Sequence, residues 1–92
     1  MTVNEDAFSE LIGKAIVLDV VSRYVYIGTL VDRDERFAIL EDADVHDLHD
    51  TMTTRELYVV ESKRHGVRSN RKRVLVRIDE IVSASALDDV LD

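Results

Sequence analysis

One short stretch of the chain is rich in basic side chains and has the chemistry to bind phosphate groups. Residues 63–73 carry six of the twelve Lys and Arg residues and no acid: Lys63, Arg64, Arg68, Arg71, Lys72 and Arg73. The rest of the chain has six basic residues against nineteen acidic ones. This basic stretch indicates either a surface facing nucleic acid or a basic edge that docks onto an acidic neighbouring subunit. A solvated loop without a partner is the third interpretation.

Two histidines, His46 and His49, stand three residues apart among carboxylates. On a helix this spacing would place both imidazoles on one face, as a zinc or nickel site requires. No third ligand can be identified from the sequence, and exposed histidines in acidic loops are common. We therefore predict a solvated, pH-sensitive loop here, with no metal and no other cofactor.

The residues needed for catalysis are scarce. The chain has no cysteine, so a thiol nucleophile, a disulfide framework and a thiolate zinc site are all excluded. It also lacks a serine flanked by glycines and a glycine-rich loop that could hold phosphates. We predict that the protein is not an enzyme.

Length and composition predict one domain over residues 1–92, with 46% apolar residues to form its core and a formal net charge of −7. No apolar run approaches the roughly 20 residues of a membrane span, and the first residues lack the basic start and apolar centre of a signal peptide. The expected location is the cytoplasm, without membrane attachment.

The hydrophobic periodicity predicts a short helix followed by five strands. Apolar residues recur at helical intervals over 4–12, with Asn4 as a possible cap and Gly13 as a stop. The period then changes to two, which places Ile16, Leu18 and Val20 on one face of a strand. The predicted strands cover 14–20, 24–31, 37–42, 73–78 and 81–86. Gly28 lies within the second of them, which is costly unless it permits a sharp bend or the close approach of another backbone.

Residues 43–70 allow two interpretations. Thr53 and Glu56 have the spacing of a capping box, and Gly66 ends the pattern, so a helix over 54–65 is favoured. The competing interpretation is a strand through 57–60 that extends a long hairpin.

Two short motifs resemble those of the Sm-like family, which includes the LSm and Hfq-type proteins. Gly13-Lys14, the sequence Tyr-Ile-Gly-Thr-Leu at 26–30 and Asp34 resemble the first Sm motif, within 14–42. Val-Arg-Ile-Asp-Glu-Ile-Val at 76–82 resembles the second, within 72–86. The chain thus looks like a divergent family member. The resemblance implies a mainly β, small, strongly bent five-stranded antiparallel barrel with an N-terminal α-helix and a helical insertion at 43–70.

The resemblance also implies a homo-oligomeric ring of about five to seven subunits. In the family, the fourth strand of one subunit pairs with the fifth strand of the next, here 73–78 with 81–86. Such rings often bind uridine-rich single-stranded RNA through an asparagine and an arginine–glycine pair. Arg77 matches the arginine, but Ile78 replaces the glycine, and Phe37 or Ala38 falls at the asparagine position. The usual uridine pocket is therefore expected to be absent.

Two functions remain open. In the first, a ring binds single-stranded RNA mainly through phosphates, using Arg33, Arg36, Phe37 and Arg77 near the pore or the basic stretch. In the second, the ring is a protein-interaction scaffold, and Arg71, Lys72 and Arg73 are buried against acids of the adjacent subunit.

Overall fold

The protein folds around one five-stranded antiparallel sheet. A computed structural model describes residues 6–49 and 54–92. The elements are β1 (Ala15–Val20), β2 (Tyr24–Arg33), β3 (Phe37–Asp47), α1 (Arg55–His65), β4 (Arg71–Arg77) and β5 (Ile81–Ala86). The strand order is β4-β3-β2-β1-β5, so β4 and β5 form the two edges. The prediction of a mainly β fold with five antiparallel strands is confirmed. Within the described residues, no helix has the length and apolar character needed to cross a membrane.

The predicted N-terminal α-helix over 4–12 is wrong in its described part. Residues 4 and 5 lie outside the described residues, and the rest contains a 3₁₀ turn at Ser9–Leu11. The Asp6 carboxylate caps this turn by accepting a hydrogen bond from the Ser9 amide at 2.7 Å. The Gly13 amide donates to the Leu30 carbonyl of β2 at 2.7 Å. Asp6 pairs with Arg33, and Phe8 and Leu11 pack against the core of the sheet, so contacts with distant residues hold the segment in this turn.

The helix between the third and fourth strands is confirmed, and the competing strand through 57–60 is wrong. The Thr54 side chain caps α1 by accepting from the Leu57 amide at 3.2 Å, while Thr53 lies outside the described residues. Gly66 ends the helix with a φ of +92°, a conformation that glycine adopts at little cost. The insertion is shorter than the predicted 43–70, because β3 continues pairing with β2 as far as Asp47.

Gly28 permits the close approach of two strands, as its position within a strand predicted. Ile27 pairs with Asp44 and Thr29 with Glu41, so Gly28 faces two residues of β3. A Cβ at Gly28 would lie 2.8 Å from the Cβ of Ala43. The extra residue in β3 makes a β-bulge, which increases the local bend and twist of the sheet. Within it, Asp42 adopts a φ of +49°.

Both faces of the sheet are covered by apolar residues. On one face, Ile16, Leu18, Leu30 and Leu40 are fully buried, and the side chains of the N-terminal turn pack against them. On the other face, a second core contains Val17, Val25, Ile27, Val59 and Leu87. Since Val59 belongs to α1 and Leu87 follows β5, the insertion and the C-terminal segment together cover the second face.

Candidate nucleic-acid interface

The turn between β2 and β3 is fixed by a single carboxylate. Asp34 Oδ1 accepts hydrogen bonds from the amides of Arg36 at 2.8 Å and Phe37 at 2.7 Å. These two bonds favour the ionised carboxylate, and they hold the pKa of Asp34 below its usual value. The side chains of Arg36 and Phe37 therefore project from a turn of defined shape.

The turn between β4 and β5 lies directly beside the first one. It forms a 3₁₀ turn at Ile78–Glu80, and the Ile78 amide donates to the Arg36 carbonyl at 2.8 Å. Phe37 and Arg77 are opposite one another in the register of β3 and β4. Because directly opposed residues project from the same face of a sheet, the Phe37 ring and the Arg77 guanidinium are neighbours.

A cavity of about 370 Å³ lies where the two turns meet, lined by Glu35, Arg36, Phe37, Arg77 and Asp79. Arg77 Nη2 and Asp79 Oδ2 form a solvent-exposed ion pair at 3.0 Å. Arg36 is exposed and forms no ion pair within the part of the chain that the structure describes. The cavity thus combines a half-buried aromatic ring with two guanidinium groups, and it also carries two carboxylates, Glu35 and Asp79. Sequence reasoning placed Glu35 in the same loop, as a group that disfavours RNA, but did not assign Asp79 to the site.

Arg33 is not part of this cavity. Its Nη1 contacts Asp6 Oδ2 at 2.8 Å, and its guanidinium lies over the Phe8 ring, 5.3 Å from the centroid. The side chain is only 9% exposed. Hydrogen bonds from Ser9, with a smaller effect of Arg33, hold the pKa of Asp6 below its usual value. Arg33 therefore fastens the N-terminal turn to β2 and is not available to a ligand.

The basic stretch does not form one surface. Lys63 donates to the Val90 carbonyl, and Arg64 Nε lies 3.0 Å from Asp92 Oδ2, so the C-terminal segment engages both residues. Arg68 lines a separate cavity, which shares no residue with the one at the turns. The remaining three, Arg71, Lys72 and Arg73, are exposed on the edge strand β4. Residues adjacent in sequence are thus distributed over a helix end, a loop and a strand.

That separate cavity lies between β3 and α1 and has a volume of about 530 Å³. The rings of His46 and Tyr58 are stacked there, with centroids 3.9 Å apart and planes 11° from parallel. The Tyr58 hydroxyl donates to the Asp44 carboxylate. Burial, followed in importance by the contact with Asp44, raises the pKa of Tyr58 above its usual value. Sequence reasoning missed this cluster, because the contact between His46 and Tyr58 depends on how α1 packs against β3.

The two histidines considered for a metal site are not on a helix. His46 belongs to β3 and is stacked on Tyr58, whereas His49 is exposed in the turn that follows. Across residues 6–49 and 54–92, no three or more His, Cys, Asp or Glu side chains are grouped so that they could hold a metal ion.

A comparison with solved structures identifies the fold. The chain is similar to a Pyrococcus abyssii Sm protein solved in complex with a uridine heptamer, with a TM-score of 0.59 and 15% sequence identity. The similarity covers 89% of this chain and 99% of that one. No family model matches the sequence, and no curated protein matches it. The similarity between the two proteins therefore concerns the fold alone.

Proposed function

The chain has the Sm-like fold, and from that premise we propose that it assembles into a homo-oligomeric ring that binds single-stranded RNA. The ring has about five to seven copies, in keeping with the Sm-like resemblance. Its RNA site is formed by the β2–β3 and β4–β5 turns, with Arg36, Phe37 and Arg77 as the contacting residues. The protein acts as a binding module and not as an enzyme.

The two edges of the sheet support ring assembly. β4 and β5 each have one neighbour in the sheet, so each leaves a row of backbone groups without a strand partner among the described residues. Each edge also carries a large exposed apolar side chain, Leu75 at 52% and Val82 at 68% exposure. Pairing β4 of one copy with β5 of the next would cover both edges, and a closed ring would leave none exposed.

The observation that carries the RNA proposal is the convergence of Arg36, Phe37 and Arg77 on one cavity. An aromatic ring beside a guanidinium provides surfaces on which a base can stack, and the arginines attract the phosphates. The similar Sm protein was solved with a uridine heptamer bound. Because Ile78 and Phe37 lack the polar groups of the usual uridine pocket, we expect weak base selectivity and strong dependence on salt.

Light scattering on the full chain, with and without RNA, tests both parts of the proposal. The mass is measured alone, then with a uridine heptamer and with an adenine heptamer, at low and moderate salt. We expect a multimer whose mass increases with either RNA at low salt. A monomer at high concentration contradicts the ring. A multimer that binds neither RNA contradicts the RNA site and favours the scaffold function.

In the scaffold function, the three basic residues of β4 are buried against acids of the adjacent subunit. Replacing Arg71, Lys72 and Arg73 together with glutamate separates the two functions. Dissociation of the multimer supports the scaffold contacts, whereas an intact multimer that still binds RNA supports the RNA site at the two turns.

A further inference from the structure

The cavity between β3 and α1 is distinct from the proposed RNA site, which lies at the two turns. Its volume of about 530 Å³ falls within the range of about 300–1,000 Å³ that is typical of small-molecule sites. Its lining holds the rings of His46 and Tyr58 among mostly polar side chains, including Asp44, Glu61 and Arg68. A planar ligand with polar groups would find both a stacking surface and hydrogen-bond partners there.

The stacked pair of rings gives the cavity a preformed aromatic surface. His46 belongs to β3 and Tyr58 to α1, so the stack spans the two elements that form the cavity. The Tyr58 hydroxyl donates to Asp44, and Asn70 Nδ2 donates to the same carboxylate at 3.1 Å. Because these contacts already fix the orientation of the phenol, stacking a planar ligand there requires little additional ordering.

One cationic side chain of the cavity, Arg68, can bind an anion, although the lining also carries the carboxylates of Asp44 and Glu61. Both of its carboxylates have partners, since Asp44 accepts two hydrogen bonds and Glu61 Oε2 lies 3.0 Å from His65 Nε2. Arg68 is exposed and lines the same cavity, and it forms no ion pair with any described residue. An arginine without a carboxylate partner, next to an aromatic surface, matches a planar ring that carries a phosphate.

We propose that this cavity binds a nucleotide, with its base on the His46–Tyr58 pair and its phosphate at Arg68. The site is independent of the proposed function, because it shares no residue with the cavity at the two turns. A failure of RNA binding by the ring would therefore not contradict this site, and a failure of nucleotide binding here would not contradict RNA binding at the turns.

The test compares AMP with adenosine, which differ by the phosphate alone. Both are titrated into the full chain, and binding is followed by NMR chemical shifts. We expect AMP to bind about tenfold more tightly than adenosine, because a charge-assisted contact is added. Shift changes should centre on His46 and Tyr58. UMP should bind in the same place, since aromatic stacking accepts every base.

Two variants identify the contacts. Arg68→Ala should abolish the advantage of AMP over adenosine while leaving adenosine binding unchanged. His46→Ala should weaken both ligands, and circular dichroism checks that it remains folded. Lys14→Ala, which replaces an exposed lysine outside the cavity, is the matched control for general charge effects. Because Arg68 is exposed, its substitution leaves the packed faces of the sheet unchanged, so the Arg68 comparison holds even if His46→Ala unfolds.

Three results would overturn the proposal. The first is the absence of saturable AMP binding up to about 10 mM. The second is an AMP advantage that Arg68→Ala leaves intact. The third is a set of shift changes confined to Phe37 and Arg77, which would contradict the cavity between β3 and α1 while supporting the proposed RNA site at the turns.

Discussion

At the residue scale, the arginines of this molecule fall into two groups. Arg33 and Arg64 are held by carboxylates of the same chain, at 2.8 Å from Asp6 and 3.0 Å from Asp92. Arg36 and Arg68 have no such partner among the described residues. An arginine that is already paired must give up its partner before it can bind a phosphate, so the second group contains the better candidates for anion contacts. Arg77 of the proposed RNA site is also paired, with Asp79, but both side chains are exposed, so this pair opens at little cost.

Replacing Arg36 should change the salt dependence of RNA binding. For single strands, each phosphate contact contributes about 0.7 to the slope of log affinity against log salt concentration. Arg36→Ala should reduce the magnitude of that slope by about this amount for a uridine heptamer, as measured by fluorescence anisotropy across a salt series. Arg33→Ala should instead lower the melting temperature, because it releases the N-terminal turn. Equal slopes for Arg36→Ala and a Lys14→Ala control would contradict the assignment.

Gly28 leads to a prediction about stability. A methyl group there would lie 2.8 Å from the Cβ and 2.9 Å from the Cα of Ala43, and backbone is much harder to displace than a side-chain end. We expect Gly28→Ala to reduce the free energy of unfolding by about 1–3 kcal/mol, the usual cost of overpacking, in urea denaturation. Ser85→Ala, on an exposed position of β5, is the control and should change it little. If Gly28→Ala were as stable as that control, the β-bulge would shift at little free-energy cost to accommodate the methyl group, and the prediction would be wrong.

At the scale of elements, α1 is held by its ends and by one buried apolar residue. Val59 and Ser62 are its buried residues, whereas Glu56, Glu61 and Arg64 are exposed. The Thr54 cap satisfies one amide at the start, while Arg55 pairs with Asp19 of β1 and Lys63 binds the C-terminal segment. With so little burial, such end contacts contribute a large share of the helix's attachment to the sheet.

The Thr54 cap can be tested by a matched pair of substitutions. Thr54→Ala should reduce the free energy of unfolding by about 1 kcal/mol, because the Leu57 amide loses its acceptor. Thr54→Ser keeps the hydroxyl and should retain most of that stability. Chemical denaturation of both variants measures the difference. If serine were as destabilising as alanine, the side-chain hydroxyl would not be the stabilising group.

The elements that the sequence predicted are those whose signals are local. Strand alternation in Ile16, Leu18 and Val20, and the stop at Gly66, depend on near neighbours along the chain. The N-terminal helix was predicted from the same kind of signal and is wrong in its described part, because contacts with distant residues, such as the pair of Asp6 and Arg33, hold that segment. The His46–Tyr58 stack and the division of the basic stretch also depend on long-range packing. Phe37 and Arg77 were predicted from the resemblance to the Sm-like family. That resemblance already implies how the strands are ordered and paired.

At the scale of the whole molecule, the two edge strands determine how copies can associate. β4 ends the sheet on one side and β5 on the other, and both present exposed apolar side chains. The proposed pairing is head-to-tail, since β4 of one copy would meet a different strand, β5, of the next. Contacts of this kind build rings when the rotation between copies closes.

A charge on the edge should therefore dissociate the ring without unfolding the subunit. Leu75→Asp places a carboxylate in the proposed interface, and we expect light scattering to report a monomer with a strand content unchanged by circular dichroism. Leu57→Asp is the matched control, because Leu57 is 50% exposed and belongs to α1, not to an edge strand. A multimer unaffected by Leu75→Asp would contradict edge pairing through β4.

The covering of the second face by α1 has a consequence for the time course of hydrogen exchange. β1 and β2 lie inside the sheet with strands on both sides, whereas α1 attaches through a few side chains and carries two buried residues. Such a unit opens at a lower free energy than the global one, so the amides of α1 should exchange well before those of β1 and β2. Each opening separates Tyr58 from His46 while the strands of the sheet stay paired. The cavity between β3 and α1 can thus be lost transiently in an otherwise folded subunit, and a ligand bound there would be recorded as slower exchange in α1 alone.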